Sequence, residues 1–214
     1  LVIVQGEVCK KTSREVDDAS NVEIKNYKGL VARSGEKLLH ALESFAINAE
    51  GKNCIDVGSS TGGFTQVLLE SGALHVTAVD VGTDQFSNSL LADHKDKISL
   101  YEKTDIREFT KECKKTFDIV VCDVSFISIE NIFESLISVS HTGTIFIILL
   151  KPQFEVGREN NRTGVVSDAA QYENTKDKYK NMFEAAGLKV TDIIGSPILG
   201  GDGNKEFILL AQKS

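Results

Sequence analysis

No apolar run in this chain of 214 residues approaches the 18 or more needed to span a bilayer. The longest, TIFIILL at 144–150, has the length of a strand. The opening residues, LVIVQGEV, lack a basic region, a long apolar core and a cleavage site, so no secretory signal is expected there. Cysteine occurs at 9, 54, 113 and 122. None of these forms a C-x-x-C pair, and no histidine stands at metal-ligand spacing beside them. Cys54 and Cys122 fall inside apolar runs, where a reduced thiol behaves as a small hydrophobe. The pattern predicts a reducing, cytoplasmic setting and no structural metal. Excess positive charge is also missing. The net charge is −7, which argues against nucleic-acid binding driven by bulk composition. The surplus is uneven, however. Residues 61–150 carry 7 basic and 13 acidic side chains, against 8 and 9 in residues 1–60 and 9 and 9 in residues 151–214. An RNA-facing surface is therefore still available at the two balanced ends.

What is present is a core. Apolar residues make up 41% of the chain, enough to exclude wholesale disorder. The first 28 residues read as short strands with a turn at Gly6 and a polar loop, too small a unit for a core of its own. A helix is expected from about Ser34, read as its N-cap, with Leu38, Leu42 and Phe45 on one face and Gly51 as its end. From residue 53 short apolar runs alternate with helical segments. The strand runs are CIDV, HVTAVDV, ISLYE, FDIVVCDV and TIFIILL. The helical segments fall near 63–71, 85–93, 106–114, 128–140 and 168–186. LKVTDIIG and EFILLAQ, joined by the turn-rich SPILGGDGNK, close the chain as a hairpin. Such alternation predicts an α/β fold: a mostly parallel, Rossmann-like sheet with a C-terminal antiparallel hairpin and helices on both faces.

The stretch DVGSSTGG, Asp56 to Gly63, joins a strand run to a helical run. A loop there aims helix N–H groups at a ligand, and glycine lets backbone approach closely. It is not a P-loop, because Phe64 stands where the lysine belongs. Nor does it fit the dinucleotide fingerprint, because Ser60 replaces the second glycine. Asp80 ends the next strand run, 24 residues after Asp56, where an acid commonly holds a nucleoside ribose. Asp105, after the third run, reads equally as an adenine-side contact and as a helix N-cap. Four further residues break local rules. Lys37 puts a cation in a first helical turn, which the dipole opposes. Asp123 ends an apolar strand run at the ligand-binding edge of such a sheet. Lys151 follows another apolar strand and is held there by Pro152. Glu206 opens the last strand run, where an edge-strand charge is the plain alternative.

Together with RSGEKL (33–38), DVGSSTGGFT (56–65), AVDVG (78–82), DVSFIS (123–128), KPQFEVG (151–157), TGVVSD (163–168) and DGNKEF (202–207), these residues carry a resemblance. The sequence resembles the hemolysin A (TlyA-like) ribosomal RNA methyltransferases, whose catalytic domain is akin to FtsJ-type ribose 2′-O-methyltransferases. The resemblance implies a class I methyltransferase domain over residues 29–214, and an N-terminal segment, 1–28, like the later part of an S4-type RNA-binding domain. It implies S-adenosyl-L-methionine as cofactor, ribosomal RNA or ribosomal subunits as partner, and ribose 2′-O transfer, with cytidine as the target. A Lys-Asp-Lys-Glu tetrad maps onto Lys37, Asp123, Lys151 and Glu206. The cofactor seat maps onto Asp56, Gly58, Ser59, Ser60, Gly62, Gly63, Phe64, Asp80, Val81, Asp105, Ile106 and Asp123. Ser34 and Asp105 depart from the family's usual glycine and asparagine. Rival readings are a small-molecule or protein methyltransferase, an RNA-binding or assembly factor with an idle site, and the membrane-damaging role in the hemolysin name. The last lacks a transmembrane run or a basic amphipathic helix to support it.

Overall fold

The computed structural model describes residues 2–4, 7–8, 22–24, 29–155, 165–166, 168–201 and 203–214. Cys9, most of the expected S4-like segment, Val156, Gly157, Thr163, Gly164, Ser167 and Asp202 lie outside the described residues. From the N-terminal unit come β1 (Val2–Val4), β2 (Glu7–Val8) and β3 (Val22–Ile24), an antiparallel sheet of order β2-β1-β3.

The apolar runs beyond residue 53 form one seven-stranded sheet. Its strands are β4 (Asn53–Val57), β5 (His75–Val79), β6 (Ile98–Tyr101), β7 (Phe117–Cys122), β8 (Ser140–Leu150), β9 (Leu188–Gly195) and β10 (Phe207–Lys213). They lie in the order β6-β5-β4-β7-β8-β10-β9, parallel throughout except that β10 runs antiparallel to both β8 and β9. The chain builds outward from β4 to β6, then returns to lay β7 on the other side of β4. That reversal leaves a crevice beyond the carboxyl ends of β4 and β7, where open α/β sheets take their ligands.

Strand residues alternate between two cores, as a two-residue period demands. Ile119 and Val121 pack with Leu38, Val67, Leu68 and Leu90, so α1 (Ser34–Ser44), α2 (Gly63–Glu70) and α3 (Asn88–Asp93) cover one face. Val120 and Cys122 pack with Phe109, Leu136, Tyr179 and Phe183, so α4 (Ile106–Glu112), α5 (Phe133–Ser138) and α7 (Ala169–Ala185) cover the other. The short α6 (Pro152–Glu155) follows β8 directly. Among the described residues no helix is long and apolar enough to cross a membrane.

Several expectations need correction. Ser34 is the first residue of α1, not its cap; Arg33 holds the cap position without a side-chain bond. The Ser34 hydroxyl instead packs against Gly63, so closely that a Cβ there would meet it at 2.5 Å. Helix α1 ends at Ser44, well before Gly51, because Ala46 turns to a φ of 52°. The expected helix at 128–140 is a 3-10 turn, Ile129–Ile132, followed by α5; Ser128 caps it by accepting the Glu130 N–H. Strand β8 starts at Ser140, earlier than TIFIILL suggests. Finally β10 lies inside the sheet, so Glu206 is not an edge-strand charge.

Candidate active site

The backbone of the glycine loop is set by close approach. Gly58 has φ 83°, and a Cβ on it would lie 2.7 Å from the Asp123 carbonyl oxygen. Only glycine lets the turn after β4 lie against the turn after β7 in this way. Asp80 then ties the loop to the turn after β5. Its Oδ2 accepts the Ser60 N–H at 2.7 Å, and its Oδ1 accepts the Gly82 N–H at 2.6 Å. Each oxygen retains a second lone pair.

Two clefts open along this edge. One, of about 350 Å³, is lined by Gly58, Ser60, Asp80, Val81, Asp105, Ile106 and Asp123, together with Gly82, Gln85, Phe126 and Ile132. Of the two alternatives for Asp105, the structure shows the N-cap. It caps α4 by accepting the Arg107 N–H at 2.8 Å, and it faces the cleft. The bonded Arg107 guanidinium holds its carboxyl below the usual range. The other cleft, of about 280 Å³, is lined by Ser34, Lys37, Gly58, Ser59, Ser60, Phe64, Asp123, Ser125, Lys151 and the 198–201 loop. Gly58, Ser60, Asp123 and Ser125 line both, so the clefts share a wall. Asp56, Gly62 and Gly63 line neither. They shape the loop from beneath, and Asp56 accepts a hydrogen bond from the Thr65 hydroxyl at 2.7 Å. Complete burial pushes the Asp56 carboxyl up to about 7, and nearby Asp123 adds to the effect.

Four charges from four separate elements meet at the second cleft: Lys37, Asp123 and Lys151 line it, and Glu206 stands behind Lys37. Lys37, in the first turn of α1, reaches Glu206 just before β10: Nζ to Oε2 is 2.6 Å, with the residues 7% and 4% exposed. Lys37 also stands 3.9 Å from Asp123 Oδ2. Lys151, at the end of β8 and 7% exposed, stands 2.6 Å from Asp123 Oδ1, off the direction of a hydrogen bond. It donates to Ser125 Oγ at 2.9 Å. The charges therefore alternate: Glu206, Lys37, Asp123, Lys151. Gly200 makes room for this, since a Cβ there would lie 2.5 Å from Glu206 Oε1. Buried pairs of this kind add little net stability, because desolvation offsets attraction. Their concentration in one cleft points to chemistry.

The sequence reading passed over Ser125, Phe126 and Gly200. Phe126 is the most exposed large apolar side chain described, at 91%, and its φ of 65° is rare for a bulky residue. The serines that flank Phe126 and Ile127 in VSFIS, just past a strand end, were the available signal. Among the described residues no group of three or more His, Cys, Asp or Glu is arranged to hold a metal ion. Burial pushes the Cys54 thiol up to about 12, and pushes Cys122 up as well, which leaves both inert.

Known proteins share this arrangement of sequence. A 23S rRNA (cytidine-2′-O)-methyltransferase TlyA of Campylobacter jejuni is 39% identical over 179 residues, covering 83% of this chain and 68% of the relative. A 16S/23S rRNA (cytidine-2′-O)-methyltransferase TlyA of Mycobacterium tuberculosis is 36% identical, covering 97% and 78%. The crystal structure of a hemolysin candidate from Lactococcus lactis superposes with a TM-score of 0.81 at 36% identity, covering 86% of this chain and 89% of that one. The profile of FtsJ-like methyltransferases matches residues 30–213. The chain belongs to the FtsJ-like methyltransferase family, among its TlyA and hemolysin A members.

Proposed function

We propose that this protein transfers a methyl group from S-adenosyl-L-methionine to a ribose 2′-OH of ribosomal RNA, on cytidine. The observation that carries the reading is the alternating chain of Glu206, Lys37, Asp123 and Lys151, the last three of which line a cleft that shares a wall with the Asp80 cleft. The names of the TlyA relatives support the substrate and the position.

The residues of the Asp80 cleft fit the cofactor. Val81, Ile106 and Ile132 offer apolar surface for a base, and Asp80 offers acceptors for ribose hydroxyls. Asp56 and Asp80 near the loop suit a cationic ligand and disfavour a pyrophosphate. Gly58, Ser59, Ser60 and Phe64 are assigned to the stretch between the two clefts. When bound, the cofactor supplies a methyl group on a sulfonium, a good electrophile.

The 2′-OH is a weak acid and a poor nucleophile, so the protein must align it and help it lose a proton. Lys151 is assigned to the acceptor oxygen. Asp123 and Ser125 fix its Nζ, while Lys37 and Glu206 complete the charge balance around it. Negative charge developing on the oxygen, as its proton passes to water, then meets a cation whose counterions are already in place, so little reorganisation is required. Phe126, exposed beside the shared wall, is assigned as a face on which an unstacked target base rests. Residues 1–28 are assigned to an S4-like RNA-binding unit, residues 29–214 to the methyltransferase domain, and the whole to the cytoplasm, where ribosomes are.

The test is methyl transfer from labelled cofactor to separated ribosomal subunits, followed by alkaline hydrolysis of the RNA. Label in an alkali-resistant dinucleotide at a cytidine supports ribose 2′-O transfer. Label on a base, or none on RNA, contradicts it.

A further inference from the structure

A carboxylate outside the four-residue chain holds together the two segments that carry Lys151 and its partners. Glu155, the last residue of α6, receives three donors. Its Oε2 accepts from the Ser128 hydroxyl at 2.6 Å and from the Tyr179 hydroxyl. Its Oε1 accepts from the Ile129 N–H at 3.1 Å. Two of these donors belong to the segment after β7 and the third to α7. Tyr179 is wholly buried, and burial followed by the adjacent Glu155 pushes its phenol well above the ordinary range. The Tyr179 proton therefore stays in place as a permanent donor.

The rest of the pairing between these segments follows the same order along both. Lys151 meets Asp123 and Ser125. Phe154 meets Phe126 ring to ring at a tilt, with centroids 5.2 Å apart. Glu155 meets Ser128 and Ile129. Lys151 also lies 5.9 Å from the centre of the Phe154 ring. So Lys151–Glu155 and Asp123–Ile129 close on each other at three points, and Glu155 supplies the far one. The closure has work to do. Helix α6 has only four residues, too few to be stable by itself. Phe126 holds an unfavourable φ and is exposed to solvent, so its own side chain gains little from burial. A carboxylate, which only accepts, suits three converging donors; an amide would turn its NH₂ toward one or more of them.

We propose that Glu155 is a positioning residue. It latches the Asp123–Ile129 segment to Lys151–Glu155, and so holds Ser125 against Lys151 and Phe126 at the edge of the Asp80 cleft, beside the wall the two clefts share. Its effect on turnover rests on the methyl-transfer reading above; its effect on the segment does not. Glu155 touches neither the acceptor nor the cofactor in this scheme, and Tyr179 and Ser128 act through it.

The test separates these layers. The chain contains no tryptophan, so Phe126→Trp introduces a single fluorophore into the latched segment. With Glu155→Gln added, the anisotropy of that indole should fall and its quenching by acrylamide should rise. In the unlabelled protein, Glu155→Gln should lower kcat for labelled methyl transfer about tenfold or more. It should raise KM for RNA and weaken the calorimetric cofactor Kd by a smaller factor than kcat falls, because the same segment also lines the Asp80 cleft. Glu155→Asp, which keeps the charge on a shorter arm, should recover part of the lost kcat. If Glu155→Gln does not fold, Ser128→Ala is decisive, since it removes one donor and should lower kcat by more than it weakens cofactor affinity. Unchanged anisotropy overturns the latch. So does parental kcat in an active background, or a loss of cofactor affinity equal to the loss of rate. Absence of methyl transfer by the parent protein would overturn the functional reading, and the anisotropy would still decide the latch.

Discussion

The two clefts sit side by side on one sheet edge, yet they are built in opposite ways. The Asp80 cleft has a local anchor. Val57, Gly58 and Ser60 line it from one short loop, and Asp80, just after the adjacent strand, bonds back to Ser60; residues after β6 and β7 close its other walls. The Lys151 cleft is assembled from α1, the end of β7, the end of β8 and the start of β10; one of its two closest pairs, Lys37 and Glu206, is 169 residues apart in sequence. The first cleft is mainly backbone amides, apolar side chains and carboxylates already bonded to backbone. The second is four side-chain charges whose partners are one another. A local seat holds a ligand wherever its loop folds, whereas a seat built from distant charges exists only when the whole sheet is in register. Binding and chemistry should therefore come apart under mutation.

The largest expected effect is on chemistry. Lys151→Ala should lower kcat about a thousandfold while leaving cofactor affinity nearly unchanged, read by labelled transfer and by calorimetry. A fall in both would mean that the clefts are not separable.

Next comes stability. Lys37→Ala leaves the Glu206 carboxylate buried without its ion pair, and removing one partner of such a pair costs about 3–5 kcal/mol. Denaturant unfolding should show that loss. The double change Lys37→Met with Glu206→Leu should recover most of the stability and none of the activity. Recovery of activity would remove this pair from the chemistry.

On the other cleft, Asp80→Ala should weaken cofactor binding about tenfold or more, since it strips acceptors from the cleft and loosens Ser60 and Gly82. At saturating cofactor, kcat should fall much less. Unchanged affinity would contradict the ribose assignment.

The last effect leaves catalysis aside and concerns Asp56. Its carboxyl lies at about 7 in the folded chain against 3.8 in the open. Between those values the folded protein binds a proton that the unfolded chain has released. The stability this confers is complete below about pH 4 and is lost as pH rises through about 7. Asp56→Asn should flatten this part of the Tm profile, and an unchanged profile would place the titration elsewhere.

The same contrast explains what could be read from the sequence. The strand-helix alternation, the mostly parallel sheet and the closing hairpin follow from apolar periodicity, and the structure has them. DVGSSTGG and Asp80 were visible because a loop motif is contiguous. Lys37, Asp123, Lys151 and Glu206 each stood out as a broken local rule, but nothing local pairs Lys37 with Glu206; the family resemblance supplied that grouping. What stayed hidden depends on tertiary contact. Helix α1 starts and stops where its packing on Gly63 and the turn at Ala46 dictate. Glu206 looked like an edge charge because the order β8-β10-β9 places the last strand inside the sheet, which periodicity alone does not reveal. Glu155 and Tyr179 acquire meaning only when α6 and α7 meet.

The separation of the two clefts is tested most directly by one paired measurement on Lys151→Ala: cofactor affinity by calorimetry, and labelled methyl transfer to ribosomal RNA from the same preparation. The account predicts parental affinity with transfer lost. Transfer at the parental rate would contradict it.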